Sequence, residues 1–180
     1  FETSFQVRPA EGLSIQGTWA YTDAKLTEDV PGILTVRNVP NNYTIRPKFL
    51  QLDALAGDRL PGSAKNAGSL GATYTVPFMD GDIVTNWTAT YRGNVVSRIG
   101  WDRAYGDKIP AYTLHRASIA YETDAYTVSL FANNIFDKYA VVSVANDRSR
   151  IGLNNGVAVR YYRQAVVNPR TVGVEARIKF

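Results

Sequence analysis

The sequence predicts an all-β protein, an antiparallel transmembrane β-barrel to which this chain contributes about seven strands. Three observations predict it. Segment after segment alternates apolar and polar residues with the side-chain period of a strand. The alternation is cleanest in the last ten residues, where Val172, Val174, Ala176, Ile178 and Phe180 interleave with Thr171, Gly173, Glu175, Arg177 and Lys179. The connections between segments are short and long by turns. Aromatic residues, 12% of the 180-residue chain, gather at the segment ends, where a membrane barrel carries its interfacial girdles.

Each element follows from its pattern. Phe1, Thr3, Phe5 and Val7 alternate with Glu2, Ser4, Gln6 and Arg8, a strand that Pro9 to Gly12 turns back. Leu13, Ile15, Gly17, Trp19 and Tyr21 alternate with small polar residues in a second strand. Ala24 to Lys65 shows no lasting period and holds four prolines, so it reads as a long loop. Such a loop would be out of place in a compact soluble domain but is ordinary on the outer side of a barrel. Asn66 to Val76 returns to alternation, Pro77 to Asp82 reads as a short turn, and Ile83 to Arg92 is the next strand. Gly93 to Pro110 reads as a second irregular loop. Arg116 to Tyr121 is a strand, with Tyr112 and Leu114 out of phase so that a bulge is expected before it. A tight turn at Glu122 to Ala125, a strand through Val128, Leu130 and Ala132, and a long loop from Asn134 to Pro169 lead to the closing strand.

With the closing strand running toward the periplasm, every short turn lies on that side and every long loop outside. Trp19, Tyr21 and Tyr91 then fall in the outer girdle, and Tyr74, Tyr121 and Phe180 in the periplasmic one. A strand of about ten residues, tilted, spans a bilayer.

Composition excludes several classes of function. There is no cysteine, hence no disulfide, thiolate metal site or cysteine nucleophile. His115 is the single histidine, so no multi-histidine metal site can form within the chain. The net charge of +4 is spread out, without the basic and aromatic clusters of a nucleic-acid binder. No run of about 18 apolar residues offers a transmembrane helix. Paired carboxylates, a nucleophile triad and a phosphate-binding glycine loop are all absent from the pattern, so neither an enzyme nor a cofactor is expected. Asp23 and Asp137 read as turn formers, and His115 as a rim residue. The chain opens on Phe1 with no signal-peptide pattern, and is expected to begin within a longer protein.

Two segments carry a family resemblance. Asn134-Ile135-Phe136-Asp137-Lys138 resembles the Asn-Leu-Phe-Asp-Lys stretch of TonB-dependent outer-membrane receptors, and Pro169-Arg170-Thr171-Val172-Gly173 resembles their Pro-Arg-Thr-x-Gly closing strand. Gly12 to Ala24 is similar to a common barrel strand of that family. Tyr139 directly after Lys138 departs from the pattern, which usually has a spacer there. The resemblance implies that residues 1–180 are the carboxyl-terminal portion of a barrel of about 22 strands enclosing a plug domain, with plug and earlier strands upstream. It implies active uptake of a siderophore or other scarce nutrient across the bacterial outer membrane. The implied partners are the TonB–ExbB–ExbD complex, acting through the plug, the barrel-assembly machinery, outer-membrane lipid and lipopolysaccharide, and a small-molecule cargo. A passive porin or small structural barrel is the alternative. An outer-membrane enzyme and a soluble β-sandwich are further competitors.

The resemblance also assigns residues. Cargo capture falls to the outer loops, where Trp101, Arg103 and Tyr105 lie in one loop and Arg148, Arg150, Arg160, Tyr161, Tyr162 and Arg163 in the last. Arginine binds carboxylates and phosphates through two donors, and aromatic rings stack on planar ligands. Glu175 and Arg177, on the polar face of the closing strand, are candidates for facing the plug. Phe180 is the candidate signal for barrel assembly.

Overall fold

The computed structural model describes residues 1–38, 48–103, 106–145, 151–154, 157–160 and 163–179, with backbone only at 35–38, 48–50, 151–154 and 157–160. In chain order the strands are β1 (Glu2–Ala10), β2 (Leu13–Tyr21), β3 (Val30–Asn38), β4 (Lys48–Ala54), β5 (Asn66–Phe78), β6 (Gly81–Arg92), β7 (Val95–Val96) and β8 (Lys108–Ile109). They continue with β9 (Tyr112–Glu122), β10 (Tyr126–Asn133), β11 (Val141–Ala145), β12 (Ile151–Asn154), β13 (Val157–Arg160), β14 (Arg163–Val166) and β15 (Thr171–Ile178). One seven-stranded antiparallel sheet runs β1-β2-β5-β6-β9-β10-β15, and the other strands pair as β3-β4, β7-β8, β11-β14 and β12-β13 inside the long connections.

Register sorts the side chains by chemistry. Leu13, Tyr74, Thr85, Ile119, Leu130 and Val174 stand side by side across β2 to β15. One residue along, Ser14, Thr73, Asn86, Ser118, Phe131 and Gly173 form the neighbouring row on the opposite face. The second face is a hydrogen-bonding surface: the Thr73 hydroxyl donates to Asn86 Oδ1 at 2.7 Å, and Thr18 and Ser69 share a hydrogen bond of 2.8 Å. The first face is apolar and open, with Leu130 50% and Val174 71% exposed. A soluble sheet folds such a face onto a core. Here the buried residues sit mostly in the loops instead: Leu34 and Ala54, packed by Leu26, Val30, Leu52 and Ile99, and, in the 93–110 connection, Val95, Val96 and Ile109.

Aromatic residues bracket the apolar face. At the long-loop end, the Trp19 and Tyr91 rings stack in parallel, 5.9 Å apart, across Gly68, which pairs with both. At the short-turn end, Tyr121 meets Phe78 and Tyr126 edge to face, each at 6.1 Å.

Several boundaries differ from the sequence expectation. The 24–65 connection carries the β3-β4 hairpin, hidden because Pro31 and Gly32 fall where the register shifts between Val30 and Leu34. The 93–110 and 134–169 connections likewise hold short ladders. Pro9 belongs to β1, at the irregularity between Val7 and Ala10 where a missing N–H is tolerated. Pro77 pairs with Asp82, so the turn shrinks to Met79 and Asp80. The bulge expected before Arg116 is absent: β9 pairs with β6 without a break from Tyr112 to Glu122. Tyr112 to Leu114 are half-buried on both faces, and alternation signals a strand only where one face is wet.

Two of the tight turns among the described residues contrast. Gly12 takes φ +71° with the Thr75 carbonyl where a Cβ would sit, so only glycine fits. Met79 takes φ 55° at the other turn, 86% exposed, and has no such excuse. A left-handed L-residue costs roughly 1–2 kcal/mol. Met79→Gly is therefore expected to stabilise the folded receptor by about 1 kcal/mol, part of the strain relief being offset by the entropy of glycine. An unchanged or lower midpoint in urea unfolding would count against this. Beside it, the Tyr121 hydroxyl donates to Asp80 and holds that turn carboxyl below its ordinary range.

Candidate ligand-capture rim

The long loops gather at one end of the sheet and are fastened to one another. Arg103 is the main fastener between the first two. Its Nη1 donates to Asp58 Oδ1 at 3.0 Å and its Nη2 to Asp58 Oδ2, a two-pronged ion pair; Nη2 also reaches the Asp53 carbonyl at 3.4 Å. The guanidinium holds the Asp58 carboxyl below the usual carboxylate range. Asp58 is itself set by the Leu55 N–H at 2.8 Å, and Asp29 accepts from the Ala56 N–H at 2.7 Å, so the 54–58 turn is capped by two carboxylates. Arg59 adds a second fastening, with Nη1 on Asn94 Oδ1 at 2.8 Å and Nη2 on the Ser63 and Asn94 carbonyls. At the stems, Asp23 pairs with Lys25 at 2.9 Å and Lys65 at 3.3 Å, chiefly the former lowering its pKa. Arg92, at the end of β6, ties the last loop by donating to the Val142 carbonyl at 2.9 Å.

Beneath this cap, on the polar face, lies an open groove of about 840 Å³ lined by Ser4, Thr18, Ser63, Ser69, Thr90 and Arg92 among others. Much of its wall is apolar, with Trp19, Tyr91 and Ala67 beside the hydroxyl groups and one guanidinium, so it suits a cargo that offers a ring face as well as oxygen acceptors. The groove lining was legible as the small polar phase of β2, β5 and β6 and as the outer-girdle residues Trp19 and Tyr91, but not as a groove. Asp58 and Arg59 had no sequence signal at all.

The sequence candidates distribute unevenly. Arg103 holds Asp58, as described. Trp101 is half-buried, and its carbonyl accepts the Gly106 N–H at 2.8 Å, closing the turn that presents Arg103. Arg163 is exposed at the start of β14, opposite Ala145. Arg160 ends β13, paired with Ile151. Tyr105, Arg148, Arg150, Tyr161, Tyr162 and Phe180 lie outside the described residues. Glu175 and Arg177 form a 3.1 Å ion pair with each other on the polar face, both well exposed, an interaction worth roughly 0–1 kcal/mol. His115 sits on the apolar face between Trp87 (5.6 Å) and Phe136 (4.9 Å). Among the described residues no group of three His, Cys, Asp or Glu side chains gathers to hold a metal. No helix there is long and apolar enough to cross a membrane, which leaves spanning by strands open.

An open, two-faced antiparallel sheet with elaborated loops at one end defines a piece of transmembrane barrel wall. The family model described as TonB dependent receptor-like, beta-barrel matches residues 4–135, and the chain belongs to that family. It is a family of outer-membrane receptors, not of enzymes. Among solved structures, the chain is similar to the siderophore receptor PiuA from Acinetobacter baumannii, with 18% identity, a TM-score of 0.64, and coverage of 97% of this chain and 20% of that one. It is similar also to the ferric yersiniabactin uptake receptor FyuA from Yersinia pestis, with 16% identity, a TM-score of 0.61, and coverage of 99% and 23%. At these identities the likeness is one of fold. The chain spans about a fifth of the length of the receptors it matches. No curated protein matches it.

Proposed function

We propose that this chain forms the carboxyl-terminal wall and outer capture loops of a receptor that imports a siderophore or other scarce nutrient across the bacterial outer membrane, driven by TonB. The observation that carries the reading is the sheet itself: an exposed apolar face bracketed by aromatic rows, backed by a polar face that opens under fastened loops. In lipid the backbone of both edge strands must be paired, since unsatisfied groups there cost several kcal/mol each. The reading therefore includes further strands beside β1 and β15, and a plug against the polar face near Glu175 and Arg177. Cargo binds in the rim groove and at the loop arginines, the plug rearranges, and cargo passes; no covalent chemistry is performed. Outer-membrane lipid meets the apolar face, lipopolysaccharide the long-loop end, and Phe180 serves the assembly machinery.

The test is growth of a Gram-negative host stripped of its own ferric-chelate receptors, under iron limitation, expressing the intact receptor. Ferric hydroxamate, catecholate and carboxylate chelates are supplied in turn, with and without TonB. TonB-dependent growth on one class supports active uptake. Growth that survives loss of TonB points to a passive pore instead.

A further inference from the structure

We propose that Asn134 and Asp137 form a clasp that holds together the two stems of the last long loop, positioning that loop independently of what lies between the stems. The Asn134 side chain is buried and spends both of its amide protons on opposite stems: Nδ2 donates to the Lys138 carbonyl at 3.0 Å and to the Asn168 carbonyl at 2.9 Å. Its Oδ1 accepts the Lys138 N–H at 2.9 Å. Asp137 makes the second crossing, its Oδ1 accepting the Arg170 N–H at 2.8 Å, while its own N–H donates to the Asn134 carbonyl at 2.8 Å. The Ile135 N–H donates to the His115 carbonyl at 3.0 Å and anchors the assembly to β9. Asn134 and Asp137 adopt φ of 50° and 51°, the left-handed conformation that Asn and Asp accept most readily among residues with a Cβ. The two motifs singled out in the sequence, 134–138 and 169–173, are thus two halves of one device. An ordinary hairpin end needs no such device. Here some thirty residues leave and re-enter the sheet between Asn134 and Asn168, and closing a loop of that length has an entropic cost that the clasp offsets. Residues Asn134 and Asp137 are positioning residues for a loop that carries Arg163, and the clasp holds whatever the cargo.

Asn134→Gly separates the clasp from backbone strain, because glycine keeps φ near 50° without cost and removes every side-chain hydrogen bond. Trypsin cuts after Lys138 and Arg170, the residues whose own backbone N–H groups the clasp engages. In the intact receptor in detergent, N134G is expected to raise cleavage at both sites roughly tenfold, as the locally open state becomes more populated, with the heat-modifiable barrel retained. Asp137→Gly should raise cleavage mainly after Arg170. An oxidised Val141→Cys/Val166→Cys pair, placed across the first rung of β11-β14, should return N134G to wild-type resistance, and reduction should abolish the rescue. Unchanged cleavage in N134G would overturn the proposal. So would loss of the folded barrel in both glycine variants, which would make these residues part of barrel stability, or failure of the disulfide to rescue.

Discussion

Leu130→Arg is expected to abolish outer-membrane insertion of the intact receptor, while Ser129→Arg, one residue away, leaves insertion near the wild-type level. Both positions lie in the middle of β10, Leu130 exposed and Ser129 half-buried. In a soluble protein an exposed leucine exchanged for arginine is close to neutral. On the lipid face of a barrel the same change near the bilayer midplane costs roughly 2–4 kcal/mol, whereas the lumen face is wet. Leu130 lies in the apolar row between Ile119 and Val174, and Ser129 between Ala120 and Glu175 on the polar face. The measurement is the heat-modifiable fraction recovered from outer membranes. Equal recovery of the two variants would contradict the assignment of faces.

The second large effect belongs to the Arg103–Asp58 fastening. The Asp58 side chain is only 13% exposed. Arg103→Ala would leave its carboxylate with the Leu55 N–H and no cation facing it. Breaking a fully buried pair costs more, but the Arg103 side chain is 31% exposed, so local destabilisation of about 2 kcal/mol is expected. That corresponds to a roughly thirtyfold loss of hydrogen-exchange protection at the Leu55 and Arg103 amides, with the β10-β15 amides unaffected. The pH dependence has a definite sign. Folding lowers the Asp58 pKa from its ordinary 3.8, so its contribution is complete above that value and is lost as pH falls through the lower folded one. Protection corrected for intrinsic exchange should be flat from about pH 5 upward and drop below about pH 4. A drop between pH 5 and 7 would mean that another group controls the fastening.

The faces of the sheet were readable in the sequence because membrane strands must alternate: lipid and lumen demand opposite chemistry of adjacent residues. That is why β2, β5, β6 and β15 were found nearly whole, and why the terminal Thr171 to Phe180 segment pointed to a barrel. Alternation failed at Tyr112 to Leu114, where both faces are half-buried, and at Val30 to Leu34, where a register shift breaks the phase. Among the candidate capture residues, Arg103 was found for its cationic fork, but its partner was not legible. Nothing local distinguishes Asp58 from Asp53 or Asp29.

The sequence by itself determined the strand faces, the alternation of short turns with long loops, and the family, since each rests on period or motif along the chain. Only the tertiary structure decided which loop residues meet. Arg103 finds Asp58 across 45 positions and Asn134 finds Asn168 across 34. Such hydrogen bonds join irregular segments that have no repeat to betray them, and their geometry exists only once the sheet has brought the loop stems to one end.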